Sequence, residues 1–170
     1  MSEKVNIRDA NIDDLTRIVE IYNNSIPGRL ATADLEEITV ESRIPWFHEH
    51  NAERRPLWVL EENNNIVGWL SFQSFYGRPA YNGTAEISIY LDPSVQGKGF
   101  GKLLIKEAIA NCPRLNIKTI LAFVFGHNEP SIRLFETFNF EKWAHLPKIA
   151  DMEGTERDLV ILGKRVDNMS

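Results

Sequence analysis

The chain has 170 residues, 43% apolar and 25% charged, with a net charge of −5. These are the proportions of one globular domain, here expected to span 1–170. No Lys/Arg run offers a surface for nucleic acid, and no apolar run approaches the roughly 18 residues of a membrane helix. The single cysteine, Cys112, excludes an internal disulfide and suits a reducing compartment. The opening MSEKVNIRDA lacks the charged-then-apolar pattern of an export signal, which points to the cytoplasm.

In chain order, Val5 and Ile7 alternate with polar residues and predict a short strand. Ile12, Leu15, Ile18, Val19 and Tyr22 recur at helical spacing, with Asn11 or Asp9 as the cap. SIPGRLATAD, Ser25 to Asp34, has no period and reads as a loop. Thr39 caps a second, shorter helical stretch that Pro45 breaks or restarts. Leu57–Glu61 and Ile66–Ser74, separated by Glu-Asn-Asn-Asn, predict a β-hairpin. FYGRPAYNG, Phe75 to Gly83, is a loop dense in aromatic residues. In Thr84–Leu91, Ile87, Ile89 and Leu91 face one way and Glu86, Ser88 and Tyr90 the other.

Asp92-Pro93-Ser94 then turns the chain into an amphipathic helix that ends before Pro113, where Cys112 is expected to be packing. Thr119–Phe125 is nearly all apolar, as in a strand buried on both faces. Pro130 suits the first turn of a helix running to Phe138, with Asn139 as its left-handed terminator. Strands are expected near Phe140–His145 and Arg157–Lys164. The order β-α-α-β-β-β-α-β-α-β-β predicts an α/β (α+β) fold: a mixed, mostly antiparallel sheet with helices on both faces.

LDPSVQGKGFGKLLIKEAI, Leu91 to Ile109, places three glycines at alternate positions before a helix. A Walker loop would need Gly at 96 and Ser or Thr at 103, where the chain has Gln96 and Leu103. A dinucleotide fingerprint starting at Gly97 and Gly99 would need a third glycine at 102, which is Lys102. Both readings fail. The pattern that remains is Gln96-x-x-Gly99-x-Gly101 after a strand and a turn. Glycines there let backbone approach an anion, and the helix N-terminus offers unpaired N–H donors.

That pattern strongly resembles the GNAT superfamily of N-acetyltransferases, and the order of elements extends the resemblance over nearly the whole chain. The resemblance implies the GNAT fold, a homodimer, and a loop that binds the pyrophosphate of acetyl-CoA through Gln96, Gly97, Lys98, Gly99, Phe100, Gly101 and Lys102. It implies backbone N–H near Tyr90 and Leu91 polarising the thioester carbonyl. It implies that Asn128 and Ser131 contact the cofactor, although both residue types are also ordinary N-caps. Two departures stand out. Phe135 occupies the position where many members carry a tyrosine that protonates the thiolate. Asn139-Phe140 replaces the usual Gly-Phe.

Arg78-x-x-Tyr81-x-x-Thr84-Ala85-Glu86 resembles the branch of phosphinothricin and methionine sulfoximine acetyltransferases. There the matching Glu86 is the general base, and Arg78 and Tyr81 lie in the amino-acid pocket. SIPGRLATAD, with Glu36 and Trp46-Phe47, resembles that branch's substrate-covering segment. The chemistry suits these residue types: an ammonium must lose a proton before it attacks, and arginine grips a carboxylate with two bonds. Glu153-Gly154-Thr155-Glu156-Arg157-Asp158 keeps the branch's Gly and Asp but lacks its histidines and tryptophan. Its acidity would suit a cationic acceptor. The alternatives are a polyamine or protein N-terminal acetyltransferase, or a catalytically silent acyl-CoA sensor. No metal is expected: His48-Glu49-His50 reads as a solvated helix face, His127 is not assigned to the cofactor, and His145 has no obvious partner. Trp46, Trp58, Trp69 and Trp143 are expected in the core or pocket wall.

Overall fold

The structure, a computed structural model, describes residues 4–166, so both ends of the expected 1–170 domain, and the first residues of MSEKVNIRDA, lie outside the described residues. Its elements are β1 (Val5–Asp9), α1 (Leu15–Ser25), α2 (Val40–His48), β2 (Leu57–Glu62), β3 (Asn65–Ser74), β4 (Thr84–Leu91), α3 (Phe100–Asn111), β5 (Thr119–Phe125), α4 (Glu129–Glu136), β6 (Glu141–Met152) and β7 (Thr155–Arg165). The strands form one sheet in the order β1-β2-β3-β4-β5-β7-β6. Among the described strands, only β4 and β5 pair in parallel. This is the expected mixed sheet.

Period-2 alternation divides the strand side chains between two cores. Trp58, Leu60, Leu70, Phe72, Ala85 and Ile87 pack with α3 and α4 on one face. Leu57, Val59 and Trp69 pack on the other against Leu15, Ile18, Val19, Ile21 and Tyr22 of α1. Cys112 is fully buried in the first core, which pushes its thiol pKa up to about 12 and leaves it a packing residue. None of the described helices is long and apolar enough to cross a membrane.

Local chemistry explains the junctions. Asn11 closes a capping box with Asp14 ahead of α1. Asn63 and Asn64 both take positive φ (53° and 70°), the two-residue turn that matches strand twist. Asn139 terminates the α4 region at φ 66°.

Four expectations are corrected. Pro45 neither breaks nor restarts α2 but sits inside it, under the Thr39 cap. β6 and β7 extend well beyond the expected ranges into a long arm that turns at Glu153 and Gly154. The arm includes Pro147, which an outer strand tolerates because the N–H it lacks is not needed by a neighbour. Phe123 of β5 is 37% exposed, so that strand is not buried throughout. Trp143 is 45% exposed on β6 and belongs to neither core nor pocket.

Candidate active site

β4 and β5 pair only from Thr84–Thr119 to Glu86–Leu121, yet both strands continue, to Leu91 and Phe125. Beyond Glu86 they part, and the sheet opens. The backbone groups of β4 alternate in direction. Asp92 N–H bonds Val67 O (2.8 Å), while Phe72 N–H turns the other way to Pro56 O (3.0 Å). In that register Glu86, Ser88 and Tyr90 spend their backbone groups on β3, and Ile87, Ile89 and Leu91 turn theirs toward the opening. Of the two residues expected to offer an N–H there, Leu91 has it and Tyr90 does not.

Asp92 fixes the turn that follows. Its carboxylate accepts from Ser94 N–H (2.9 Å) and from Arg17 (2.7 Å), which lowers its pKa to about 2. Gln96, Gly97, Lys98 and Gly99 are exposed. Gly97 and Gly99 have φ values of 85° and 83°, a region that an L side chain enters only at a cost. Gly99 is the N-cap of α3, and Leu103 N–H bonds Gly99 O (3.1 Å), so the amides before it precede the first helical bond. The first-turn amides of α3 and the helix dipole can receive an anion at the open end of the sheet.

Gly101 works differently from the expectation that its missing Cβ admits an anion. A Cβ there would stand 2.9 Å from Leu134 Cδ2, so this glycine lets α4 approach α3. Phe100 is buried in the core. Lys98 pairs with Glu62 (2.9 Å), and Lys102 is exposed.

The end of β5 carries the rest of this side. Asn128 is buried and is the N-cap of α4: its Oδ1 accepts from Ser131 N–H (3.3 Å) and its Nδ2 donates to Leu30 O (3.2 Å). Both expected cofactor residues therefore take part in the cap itself. His127 stacks on Phe125, its Nε2 meets Arg29 O (3.2 Å), and its Nδ1 is buried without a partner. Phe135 is buried beside Phe140 (ring centroids 5.0 Å apart) and carries no hydroxyl. Three successive carbonyls, of Arg29, Leu30 and Ala31, thus receive His127, Asn128 and, from β4, Tyr90 Oη (3.1 Å). The loop expected to cover the substrate is laced across the opening between β4 and β5.

On the opposite face of the sheet, Trp69, Ser71 and Gln73 of β3 and Ser88 and Tyr90 of β4 line a cavity of about 170 Å³ beneath α1 and α2. Tyr90 packs on Tyr22 (5.0 Å) and Trp69 (4.9 Å). Glu86 shares this strand face and lies opposite Gln73. Its carboxylate has no hydrogen-bond or ion-pair partner among the described residues, and burial raises its pKa.

Two residues of this cavity's surroundings were not legible in the sequence. Arg43 lines the cavity, with its guanidinium 5.1 Å from the Tyr22 ring and 5.3 Å from the Trp46 ring, and 3.8 Å from Asp34. His50 is not on a solvated helix face. It follows the end of α2, with Nδ1 2.8 Å from Trp46 O and Nε2 2.7 Å from Ser71 Oγ. The recurrence of Arg43, Trp46 and His50 at about one helical turn was the available signal.

Arg78 and Tyr81, the expected pocket residues, are exposed in the loop before β4. Tyr81 packs with Phe75 (5.5 Å) and Tyr76 (6.2 Å), and Arg78 has no ion pair among the described residues. His145, expected to lack a partner, meets Asp158 across the β6–β7 arm (2.6 Å). Glu153 is paired with Arg29. Among the described residues no group of three His, Cys, Asp or Glu side chains could hold a metal.

The open sheet, the left-handed glycines and the half-buried lone carboxylate lie along β4 and the turn that follows it. Residues 15–140 match the model of the acetyltransferase (GNAT) family. Over 161 residues the chain is 50% identical to YwnH of Bacillus subtilis, whose name proposes a phosphinothricin acetyltransferase; the match covers 94% of this chain and 98% of that one. It is 29% identical to the L-methionine sulfoximine/L-methionine sulfone acetyltransferase of Salmonella typhimurium, covering 95% and 94%. The crystal structure of a phosphinothricin acetyltransferase from Sinorhizobium meliloti in complex with acetyl-CoA superposes with a TM-score of 0.89 at 28% identity, covering 95% of this chain and 88% of that one. The chain belongs to the acetyltransferase (GNAT) family.

Proposed function

We propose that this acetyltransferase moves the acetyl group of acetyl-CoA to the primary amine of a small amino-acid-like acceptor of the phosphinothricin or methionine sulfoximine type, by direct attack with both substrates bound. Acetyl-CoA supplies the activated acyl group. The residues at the open end of the sheet fit it: the first-turn amides of α3 and the left-handed Gly97 and Gly99 would hold the pyrophosphate, with Gln96, Lys98 and Lys102 at its edge. Leu91 N–H is aimed into the opening, where it can stabilise charge on the carbonyl oxygen. Asn128 and Ser131 hold the start of α4 beside it.

The observation that carries the reading is Glu86. A half-buried carboxylate with no partner has a raised pKa, so it is a better proton acceptor than an exposed one. It stands where the sheet opens, on the same strand face as the cavity. There it can take the ammonium proton and free the nitrogen lone pair. Two cations can meet the acceptor's carboxylate: Arg78, with Tyr81, at the mouth of β4, and Arg43 within the cavity. Phe135 has no proton to give, so that position is not the source of the proton for the departing thiolate.

The test is release of CoA thiol from acetyl-CoA over a panel of L-amino acids, L-methionine sulfoximine, phosphinothricin and polyamines. Turnover is expected with the sulfoximine or phosphinothricin. Turnover with polyamines alone would overturn the acceptor class, and tight CoA binding with no release would favour a sensor. A cytoplasmic homodimer belongs to this reading. Exposed Trp143, Leu146 and Ile149 on β6 support it, as apolar surface that a second copy could cover. Light scattering giving a monomer mass would remove the dimer.

A further inference from the structure

Resting on that reading of the acceptor, we infer that His50 is a positioning residue: it holds the Ser71 hydroxyl so that only oxygen lone pairs face the cavity, and Ser71 Oγ receives an N–H of the acceptor's amine.

The polarity follows from hydrogen-bond logic. His50 Nδ1 lies 2.8 Å from Trp46 O, and a carbonyl only accepts, so Nδ1 carries the ring proton. In the neutral ring Nε2 then has a lone pair and no hydrogen. Ser71 Oγ, 2.7 Å away, must be the donor. Burial lowers the His50 pKa and so favours this neutral form. With its one hydrogen committed to His50, the Ser71 oxygen keeps acceptor capacity alone.

The position makes that polarity matter. Ser71 is 1% exposed yet lines the cavity, and it lies opposite Ser88 in the β3–β4 ladder. The next pair along the same face is Gln73 and Glu86. A nitrogen delivered to Glu86 from the cavity therefore passes a hydroxyl fixed as an acceptor. An unfixed serine could turn its hydrogen toward the nitrogen lone pair and oppose attack. Trp46 holds the device from the other side. Its ring meets the His50 ring edge-on at 4.8 Å and lines the same cavity.

Two measurements test this, and they fail separately. The first is 15N NMR of the His50 ring at neutral pH in the intact chain, which is independent of turnover. It should report the Nδ1–H tautomer, with an Nε2 resonance that moves in Ser71→Ala. An Nε2–H tautomer or an imidazolium would overturn the assignment even with the acetyltransferase reading intact.

The second is a double-mutant cycle with L-methionine sulfoximine as acceptor. Ser71→Ala and His50→Phe should each raise the acceptor KM about tenfold or more, as loss of a hydrogen bond to a charged partner does, with the acetyl-CoA KM unchanged. Because His50 acts through Ser71, the double variant should be no worse than the poorer single one. Additive effects, or an unchanged acceptor KM in Ser71→Ala, would overturn the proposal. If His50→Phe does not fold, Ser71→Ala and the tautomer decide. A wild-type chain inactive toward every amine in the panel would overturn both the functional reading and the amine as ligand.

Discussion

Asn128 fastens Leu30 to the start of α4: its Nδ2 donates to Leu30 O at 3.2 Å while its Oδ1 caps the helix through Ser131 N–H. One buried side chain therefore sets both the helix N-terminus and the loop that crosses the opening. Asn128→Asp keeps the cap and removes the donor, leaving a carboxylate facing a carbonyl oxygen. A loss of about 1–3 kcal/mol is expected from urea unfolding, the usual cost of a buried unsatisfied polar group. The acetyl-CoA KM should rise as well. Stability within about 0.5 kcal/mol of wild type, a surface-like response, would mean the loop is not held this way.

Glu86→Gln should lower turnover on the best acceptor at least about tenfold, given what a positioned base supplies. The pH profile adds a second check. A base must be deprotonated to act, so wild-type kcat should fall as pH drops through the Glu86 pKa. Burial raises that pKa, so the fall should begin above the range of an ordinary carboxylate. Glutamine should abolish that limb. Unchanged turnover removes Glu86 from the mechanism.

The two kinds of glycine in the anion loop should separate. Gly99→Ala puts a side chain at φ 83°, which costs about 1–2 kcal/mol and distorts the N-cap. Gly101→Ala gains helix propensity of about 1 kcal/mol, and its clash is with Cδ2 at the flexible end of Leu134. Gly101→Ala should therefore be the more stable variant by urea titration. It should also raise the acetyl-CoA KM less than Gly99→Ala does, because Leu134 Cδ2 can turn aside. Equal destabilisation would mean that the distinction between conformation and packing is wrong.

The division between these roles shows what sequence could and could not reveal. The alternation in β4 and the glycine-rich turn into α3 are local, set by a period of two and by adjacent residues, and both were legible. The packing role of Gly101 depends on Leu134, on another helix. His50 was misread for a definite reason. Helical spacing places residue 50 on the face of Arg43 and Trp46, but the polar run His48-Glu49-His50 masked that periodicity and read as solvated. In the structure α2 ends at His48, and the following turn swings His50 onto Ser71, 21 residues away in β3. The β6 arm was undercounted because Pro147 and the acidic residues at 151 and 153 resemble loop, which an outer strand accommodates.

Burial of neutral His50 also predicts a pH dependence of stability. Its folded pKa lies below the unfolded value of about 6.5. The unfolded chain therefore binds the proton first. The contribution is full above the unfolded pKa and is lost as pH falls from there to the folded value. Unfolding free energies at pH 7.5 and 5.5 should thus fall further in wild type than in His50→Phe. Parallel losses in both proteins would show that His50 is not held neutral.

Arg43 and Arg78 compete for the acceptor's carboxylate. Arg43 is stacked by Tyr22 and Trp46, about 5 Å from each ring, so its guanidinium is oriented before any ligand arrives. Its acidic neighbour is Asp34 at 3.8 Å, a long contact that leaves most of the fork's donors for another acceptor. Arg78 is exposed, and its side chain would have to be ordered on binding. Preorganisation favours Arg43. With L-methionine sulfoximine, Arg43→Ala should raise the acceptor KM about tenfold or more, the scale of a lost charged hydrogen bond. Arg43→Lys should recover only part of that, since lysine keeps the charge but neither the planar stack nor the two-pronged grip. Arg78→Ala should cost less. If instead Arg78→Ala gives the larger rise and Arg43→Ala leaves the KM unchanged, the carboxylate sits at the mouth of β4 and the cavity beneath α2 holds the acceptor's side chain.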